Sequence, residues 1–143
     1  MLIGEYNHTI DTKGRIFIPS KFREDIGESF IVTRGIGNCL FGLSHSEWNN
    51  FSEKLRTLPM TDAYALNFTR LFFAGATECD MDKQGRILIP ANLRSVADLS
   101  KDAVITGMMN RIEIWDKGNW AEFNTKADSQ FEETLLKMSQ LGI

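Results

Sequence analysis

The amino-acid sequence predicts an α+β fold in which one structural unit occurs twice along the chain. Three observations lead to this prediction: a segment that recurs in the second half, short runs rich in β-branched residues, and apolar stripes with helical spacing near the end of each half. The chain has 143 residues, which suits one compact domain or two very small units with a shared core.

The repeat is an ordered series of matches. DTKGRIFIPSKFR at Asp11–Arg23 aligns with DKQGRILIPANLR at Asp82–Arg94, with Asp, Gly, Arg, two Ile, Pro and the final Arg in the same columns. The similarity resumes, at a spacing of about 71–73 residues, in the pairs Phe30–Thr33 with Ala103–Thr106 and Trp48-x-x-Phe51 with Trp120-x-x-Phe123. Chance does not readily supply such a series, and no Ser/Thr/Pro-rich linker separates the halves. We therefore expect one intertwined, pseudo-symmetric domain.

Each half is predicted to begin with two strands around an Asp-x-x-Gly-Arg loop. The predicted strands are Tyr6–Ile10 with Arg15–Ile18, and Thr77–Met81 with Arg86–Ile89. Two strands around a short glycine-containing loop predict a hairpin, in which Gly14 and Gly85 supply the positive φ of the turn. Pro19 and Pro90 end the second strands and suit the start of the short helices that follow.

The rest of each half is predicted to contain two more strands and a closing helix. The strands are Phe30–Thr33, Cys39–Leu43, Ala103–Thr106 and Arg111–Trp115. Ser44-x-x-Glu47 has capping-box spacing, and Asp116 is the predicted cap of the second closing helix. A further helix near 61–72 connects the halves.

Three apolar stripes follow these predicted helices, and we interpret them chiefly as core, with subunit interface as the alternative. They comprise Trp48, Phe51, Leu55 and Leu58; Tyr64, Phe68, Leu71 and Phe72; and Trp120, Phe123, Ala127, Phe131, Leu135 and Met138.

The two loops are the candidate functional site. An arginine can bind guanine or phosphate with two parallel hydrogen bonds, and a lysine can approach phosphate as a point charge. The candidate DNA contacts are Thr12, Lys13 and Arg15 in the first loop and Lys83, Gln84 and Arg86 in the second. Asp11 and Asp82 would orient the arginines or accept backbone N–H bonds within the turn. The alternative is a plain hairpin turn with a solvated arginine, although turn geometry gives no reason for Arg to occur twice.

Composition bears on three further questions: whether the chain binds nucleic acid, whether it holds a metal or cofactor, and where it is located. The net charge of −3 and the pI of about 5.4 argue mildly against a nucleic-acid partner, but binding depends on where the charges lie. Cys39 and Cys79 lie far apart without a nearby histidine at ligand spacing, so we expect two buried, reduced thiols, no metal site and no cofactor. We expect no secretory signal, no membrane span and a cytoplasmic location.

The sequence offers weaker support for two other classes of function, an enzyme and a protein-interaction module. An enzyme is disfavoured because His8 and His45 are isolated, and because an arginine near Asp11 and Asp82 would keep each carboxylate ionised. No catalytic residues are therefore predicted. A protein-interaction module, such as the antidote of a toxin–antidote pair, usually has one motif copy and a disordered tail, whereas here the motif is doubled and the tail is amphipathic.

The doubled pattern Asp-x-x-x-Arg-Ile-x-Ile-Pro, with Met1–Tyr6 and Arg111–Trp115, resembles the MraZ family of bacterial proteins in the AbrB/SpoVT-like superfamily. The resemblance implies duplicated swapped-hairpin units that form a pseudo-dimeric β-barrel with flanking helices. We place the units at 1–60 and 77–143, joined by a connecting helix at 61–76.

The resemblance also implies a function. It implies a nucleoid-associated regulator that binds repeated sites in double-stranded promoter DNA as a ring-shaped homo-oligomer. Its target would be its own operon, a division and cell-wall gene cluster, with repression as the expected effect. The motif residues Arg15 and Arg86 would contact DNA, supported by Lys13 and Lys83, and the unequal loops suggest unequal contacts.

Overall fold

The structure, a computed structural model, describes residues 1–143. Its strands are β1 (Glu5–Thr9), β2 (Arg15–Phe17), β3 (Ser29–Arg34), β4 (Cys39–Leu43), β5 (Thr77–Asp80), β6 (Arg86–Leu88), β7 (Asp102–Gly107) and β8 (Ile112–Asp116). Its helices are α1 (Ser20–Ile26), α2 (His45–Arg56), α3 (Ala63–Ala74), α4 (Ala91–Val96), α5 (Lys117–Ser129) and α6 (Phe131–Ser139). The first half, β1 to α3, and the second half, β5 to α6, therefore have the same order of elements.

The strands form two antiparallel sheets, and both sheets combine strands from the two halves. The larger sheet has six strands in the order β1-β7-β8-β4-β3-β5, and the smaller one pairs β2 with β6. The fold is thus α+β, as predicted. The larger sheet has open edges at β1 and β5, so its hydrogen bonds do not close the predicted barrel.

The prediction of two local hairpins is wrong in its strand pairing. β1 pairs with β7, with Tyr6 opposite Ile105, and β5 pairs with β3. β2 pairs with β6, with Ile16 opposite Ile87. The turn itself is local, since the Asp11 N–H donates to the Arg15 carbonyl at 2.9 Å. Turn chemistry depends on a few neighbouring residues, whereas the partner of a strand depends on which distant edge buries its apolar face.

Apolar residues fill both faces of the larger sheet. On one face, 18 buried residues form a cluster to which β2, β6, α1 and α4 contribute, including Ile16, Phe22 and Leu93. On the other face, a cluster of six buried residues includes Phe72 and Trp115, with α2, α3 and α5 above it. The β2–β6 ribbon, with α1 and α4, therefore lies on one side of the shared sheet, and α2, α3 and α5 lie on the other.

Local capping chemistry explains where three helices begin. The side chains of Ser44, Asp62 and Asp116 accept backbone N–H bonds at the starts of α2, α3 and α5. The capping box at Ser44 is half formed, because the Glu47 carboxylate instead accepts from the Asn110 amide at 3.1 Å. The predicted caps at Ser44 and Asp116 are confirmed.

The core interpretation of the last apolar stripe holds for Trp120, which packs against the cluster of six residues, but is wrong for the residues that follow it. One continuous helix was expected after Asp116, but the helix breaks at Gln130 into α5 and α6. The side chains of Phe123, Phe131 and Leu135 are about half exposed, at 48%, 55% and 51%. The stripe on α3 is divided, since Phe72 is buried while Tyr64 and Leu71 are exposed. Periodicity identifies an apolar face but not what covers it.

Both cysteines are buried, and a helix lies between the two halves. Cys39 and Cys79 are buried, free thiols, as expected. Burial raises the pKa of Cys39 to about 12 and that of Cys79 to about 11, so both thiols are poor nucleophiles. α3 lies within the predicted connecting segment 61–76. None of the helices is long and apolar enough to cross a lipid bilayer.

Candidate nucleic-acid interface

The first loop is held together by one carboxylate. Oδ1 of Asp11 accepts from the backbone N–H groups of Lys13 and Arg15, both at 2.9 Å. Oδ2 accepts from Nε of Arg15 at 2.7 Å. Gly14 completes the turn with a φ of +89°. One aspartate thus shapes the turn and fixes the direction of the arginine beside it.

The second loop repeats this geometry. Oδ1 of Asp82 accepts from the backbone N–H groups of Gln84 and Arg86 at 2.9 Å, and Oδ2 accepts from Nε of Arg86 at 2.8 Å. Gly85 has a φ of +84°. In both loops the arginine uses only Nε within the protein, so its two Nη groups have no protein partner. The guanidinium is oriented and still has donors to offer.

The β2–β6 ribbon places both arginines on one face. Arg15 lies opposite Leu88, and Arg86 lies opposite Phe17. Between these pairs, Ile16 and Ile87 point into the core. Because side chains alternate along a strand, the four flanking residues share the outer face. Arg15 and Arg86 are diagonal neighbours, a relation that places side chains about 7–8 Å apart. The structure therefore combines two loops, distant in sequence, into one surface.

The outer face also includes two apolar side chains that were predicted only as strand residues. Phe17 and Leu88 are exposed, at 41% and 56%. The guanidinium carbon of Arg86 lies 5.8 Å from the centre of the Phe17 ring, whereas Arg15 faces an aliphatic residue. The two arginines thus differ in their setting: the side chain of Arg86 is 22% exposed and that of Arg15 is 34% exposed. The alternation of buried Ile with exposed neighbours was the signal that could have identified this face.

Arg23 and Arg94 are further site residues that the sequence analysis missed. Nε of Arg23 donates to the Ile18 carbonyl at 2.9 Å, and its guanidinium lies against Gly85 of the other half. A Cβ atom at Gly85 would lie 2.2 Å from Cζ of Arg23. Arg94 lies against Gly14 in the same way, where a Cβ would lie 2.8 Å from Cζ. The arginine of each half thus supports the loop of the other. The sequence signal for this role was that Arg23 and Arg94 occupy the same position of the two repeats.

Two backbone hydrogen bonds also join the loops across the halves. The Ile18 N–H donates to the Gly85 carbonyl, and the Ile89 N–H donates to the Gly14 carbonyl, both at 2.9 Å. Each loop is therefore held by a strand end and an arginine from the opposite half. We therefore expect a change in one loop to alter the position of the other loop, at the opposite end of the ribbon.

The charges of the site follow from this geometry. The backbone N–H of Arg15, together with its side chain, lowers the pKa of Asp11, and Arg86 lowers the pKa of Asp82 in the same way. Both carboxylates therefore stay ionised at neutral pH. Burial, and then the charge of Arg23, lowers the pKa of His8, so this histidine is neutral there. The cationic groups of the loops are lysine and arginine side chains.

The other predicted contact residues lie at the two ends of the ribbon. The side chains of Thr12, Lys13, Lys83 and Gln84 are exposed, one pair in each loop. The surface thus has two arginines held by aspartates near its centre and one exposed lysine at each end. Such a surface can donate several hydrogen bonds to planar oxyanions or to base edges.

The fold and this site define a duplicated α+β protein whose halves exchange strand partners and present paired Asp–Arg loops on one ribbon. A family model described as "MraZ protein, putative antitoxin-like" matches the chain twice, at residues 1–71 and 72–140. The chain belongs to the MraZ family.

Close relatives match from end to end. A protein named transcriptional regulator MraZ from Caldicellulosiruptor bescii is 54% identical over all 143 residues of both chains. Relatives of the same name from Thermoanaerobacter sp. (strain X514) and Caldanaerobacter subterraneus subsp. tengcongensis are 53% and 55% identical, also over the full length of both chains.

Proposed function

We propose that this chain is a transcription regulator that binds double-stranded DNA through the outer face of the β2–β6 ribbon. The observation that carries the proposal is the pair of arginines, Arg15 and Arg86, each fixed by an aspartate through Nε with both Nη groups free. The name of the relatives supports regulation of transcription.

The ribbon suits the major groove. A two-stranded antiparallel ribbon fits that groove, and an arginine can donate two hydrogen bonds to O6 and N7 of guanine. The Asp11 and Asp82 bonds reduce the freedom that each arginine must lose on binding. Lys13 and Lys83, one at each end of the ribbon, are placed to approach phosphates, and Thr12 and Gln84 to donate hydrogen bonds. Phe17 and Leu88 can contact thymine methyl groups between the arginines.

The proposed architecture is a swapped-hairpin pseudo-dimer of the AbrB/SpoVT kind. Its support is the exchange of partners between halves, in which β1 pairs with β7, β5 with β3, and β2 with β6. Such an arrangement gives the DNA-facing ribbon an approximate two-fold axis. We further propose that the two sheets enclose the core as a barrel whose closure is by side-chain packing.

Self-association would compensate for the weak electrostatics of one chain. The net charge is −3, and one ribbon neutralises few phosphates. We propose that several subunits form a ring, each engaging one of several repeated sites upstream of its own operon, the division and cell-wall cluster, and repressing it. Linked contacts of this kind gain roughly 10²–10⁴ in apparent affinity when site spacing matches subunit spacing. The protein would then be associated with the nucleoid in the cytoplasm.

The test is binding to DNA from upstream of the protein's own gene, measured by mobility shift with the intact repeats, with one repeat and with a scrambled sequence. We expect tight binding to several repeats, binding to one repeat close to that of scrambled DNA, and a steep fall with salt. Equal affinity for one repeat and several would contradict linked binding. Equal affinity for all three DNAs would contradict sequence-specific recognition.

A further inference from the structure

We propose that α6 of one subunit docks on the second half of another subunit, in the position that α3 occupies on the first half. This inference rests on the self-association proposed above and identifies the two surfaces that meet. It starts from the equal order of elements in the halves, in which α3 follows α2 as α6 follows α5. Of these two last helices, only α3 packs on its own half.

In the first half, α3 packs over two aromatic side chains of α2, Trp48 and Phe51, which we call the aromatic floor. Phe72 is buried, and its ring centre lies 5.4 Å from that of Trp48 and 4.9 Å from that of Phe51. Below it, the Thr33 hydroxyl donates to the Phe72 carbonyl at 2.6 Å. The helix is thus held by stacked rings and by one hydrogen bond from the sheet.

The second half has the same floor without a helix on it. Trp120 and Phe123 stand where the repeat places Trp48 and Phe51, and Phe123 stacks on Trp115 with ring centres 5.2 Å apart. Nothing takes the place of Phe72, so Phe123 is 48% exposed, whereas Phe51 is half-buried. The result is a largely apolar groove, which we call the vacant groove, lined by Ile36, Met108, Trp115, Trp120 and Phe123.

The hydrogen bond of a buried hydroxyl also differs between the halves. Thr106 aligns with Thr33, and strand register supports the match, because Thr33 faces Phe41 in one half and Thr106 faces Glu113 in the other. Thr106 is 6% exposed, and its hydroxyl has no hydrogen-bond partner. A buried hydroxyl without a partner is costly and uncommon. In the first half, the matching hydroxyl is satisfied by the docked helix.

The chain's own α6 is not placed to fill the vacant groove. Six residues, 57–62, lie between α2 and α3, which is enough to reverse the chain direction. Only Gln130 separates α5 from α6. Antiparallel helices need a loop of about 2–5 residues, so α6 continues away from α5 instead of turning back over it.

α6 itself presents an apolar stripe with no partner. Phe131, Leu135 and Met138 recur at the spacing of one helical face. Phe131 and Leu135 are exposed and Met138 is partly so. The chain therefore has two unpartnered surfaces. One is the apolar stripe of α6, and the other is the vacant groove, which lies on a different surface of the same chain. Their contact between copies is head-to-tail, the type of interface that closes into a ring.

The experiment uses the full chain and measures mass in solution by analytical ultracentrifugation. Two variants change the stripe, Leu135→Glu and independently Phe131→Glu, and one changes the groove, Ile36→Glu with Met108→Glu. All of these side chains are exposed, and circular dichroism checks the fold. The matched control for the stripe variants is Gln140→Glu, which adds the same single negative charge at the C-cap of α6, on the side opposite the stripe.

We expect the unchanged chain and the control to be multimers, and each stripe or groove variant to fall to the 16.2 kDa of one chain. A mixture of Leu135→Glu with the groove variant should form dimers only, since one intact helix and one intact groove remain. Multimers of both stripe variants would overturn this inference and leave the ring. A mixture without dimers would overturn the head-to-tail contact. A monomeric unchanged chain would overturn both the ring and this inference.

Discussion

The two halves of the molecule have the same order of elements but differ in what covers them. At the ribbon they are nearly equivalent, because each Asp–Arg loop has the same hydrogen bonds and is supported by an arginine from the other half. On the opposite face they differ, because Phe72 of α3 is buried over the first half while the second half has an exposed Phe123. The loops of the two halves are thus alike, whereas their helical surfaces differ.

The loops and the helical surfaces therefore differ in how far each half depends on the other. Each loop contacts an arginine of the other half, since Arg23 lies against Gly85 and Arg94 lies against Gly14. A change in one half is therefore expected to affect the loop of the other half. At the helical surfaces the support is not reciprocal, since α3 packs over the first half while the matching groove of the second half has no helix in it.

The largest expected difference between the halves is at the aromatic residues of α3 and α6. Replacing a buried phenylalanine by alanine costs about 3–5 kcal/mol, so Phe72→Ala should lower the free energy of unfolding by that amount. Phe131→Ala, at an exposed position, should change it by less than about 0.5 kcal/mol. Urea unfolding in the Leu135→Glu background, expected to be monomeric, measures both. Similar losses at the two positions would mean that α6 packs on its own chain.

The next comparison is between the loop glycines. Alanine at a positive φ costs roughly 1–3 kcal/mol, which applies to both Gly14 and Gly85. Gly85→Ala should cost more than Gly14→Ala, because its Cβ would lie 2.2 Å from Cζ of Arg23, against 2.8 Å from Cζ of Arg94. Arg23 would then have to leave the Ile18 carbonyl.

The control is Gly85→Ala combined with Arg23→Ala, which keeps the positive φ at position 85 but removes the guanidinium that the Cβ would meet. Thermal unfolding in the same monomeric background ranks the two glycine variants and compares the loss caused by Gly85→Ala with and without the Arg23 side chain. An equal loss of stability with and without that side chain would show that the arginine does not constrain the loop.

A smaller difference is expected between the matching threonines. Thr33→Val leaves the Phe72 carbonyl without its donor and should cost about 1–2 kcal/mol. Thr106→Val removes a hydroxyl that has no partner and should be neutral or slightly stabilising in the monomeric background. Urea unfolding measures the change in the free energy of unfolding for both variants. A clear loss of monomer stability at Thr106 would refute the difference that we infer between the halves.

Local features were predictable from the sequence. The repeat, the approximate positions of the eight strands and the caps at Ser44 and Asp116 depend on residues close together in the chain, and the structure confirms them. The strand partners were not predictable in this way, because a turn such as Asp11–Arg15 does not determine which distant strand completes the sheet.

The candidate site was predictable only in part. Arg15 and Arg86 could be identified as repeated charged residues within turns. Their meeting on one face follows from the β2–β6 register, which joins residues far apart in sequence. The support of each loop by Arg23 or Arg94 depends on a close approach between halves that no local pattern encodes. The break at Gln130 was missed because the apolar period continues across it.

The central claim is that the two loops act together as one DNA-binding surface, and the most direct test is the affinity of arginine variants for the upstream DNA. Fluorescence anisotropy at fixed salt would compare Arg15→Ala, Arg86→Ala and the double variant, with Arg56→Ala on α2 as a control of equal charge change. Each contact of this kind is worth about 1–3 kcal/mol.

We expect each single loop variant to bind at least about 5-fold more weakly. The double variant should bind no better to the upstream DNA than to scrambled DNA, and Arg56→Ala should bind normally. A double variant with unchanged affinity and unchanged salt dependence would contradict the account.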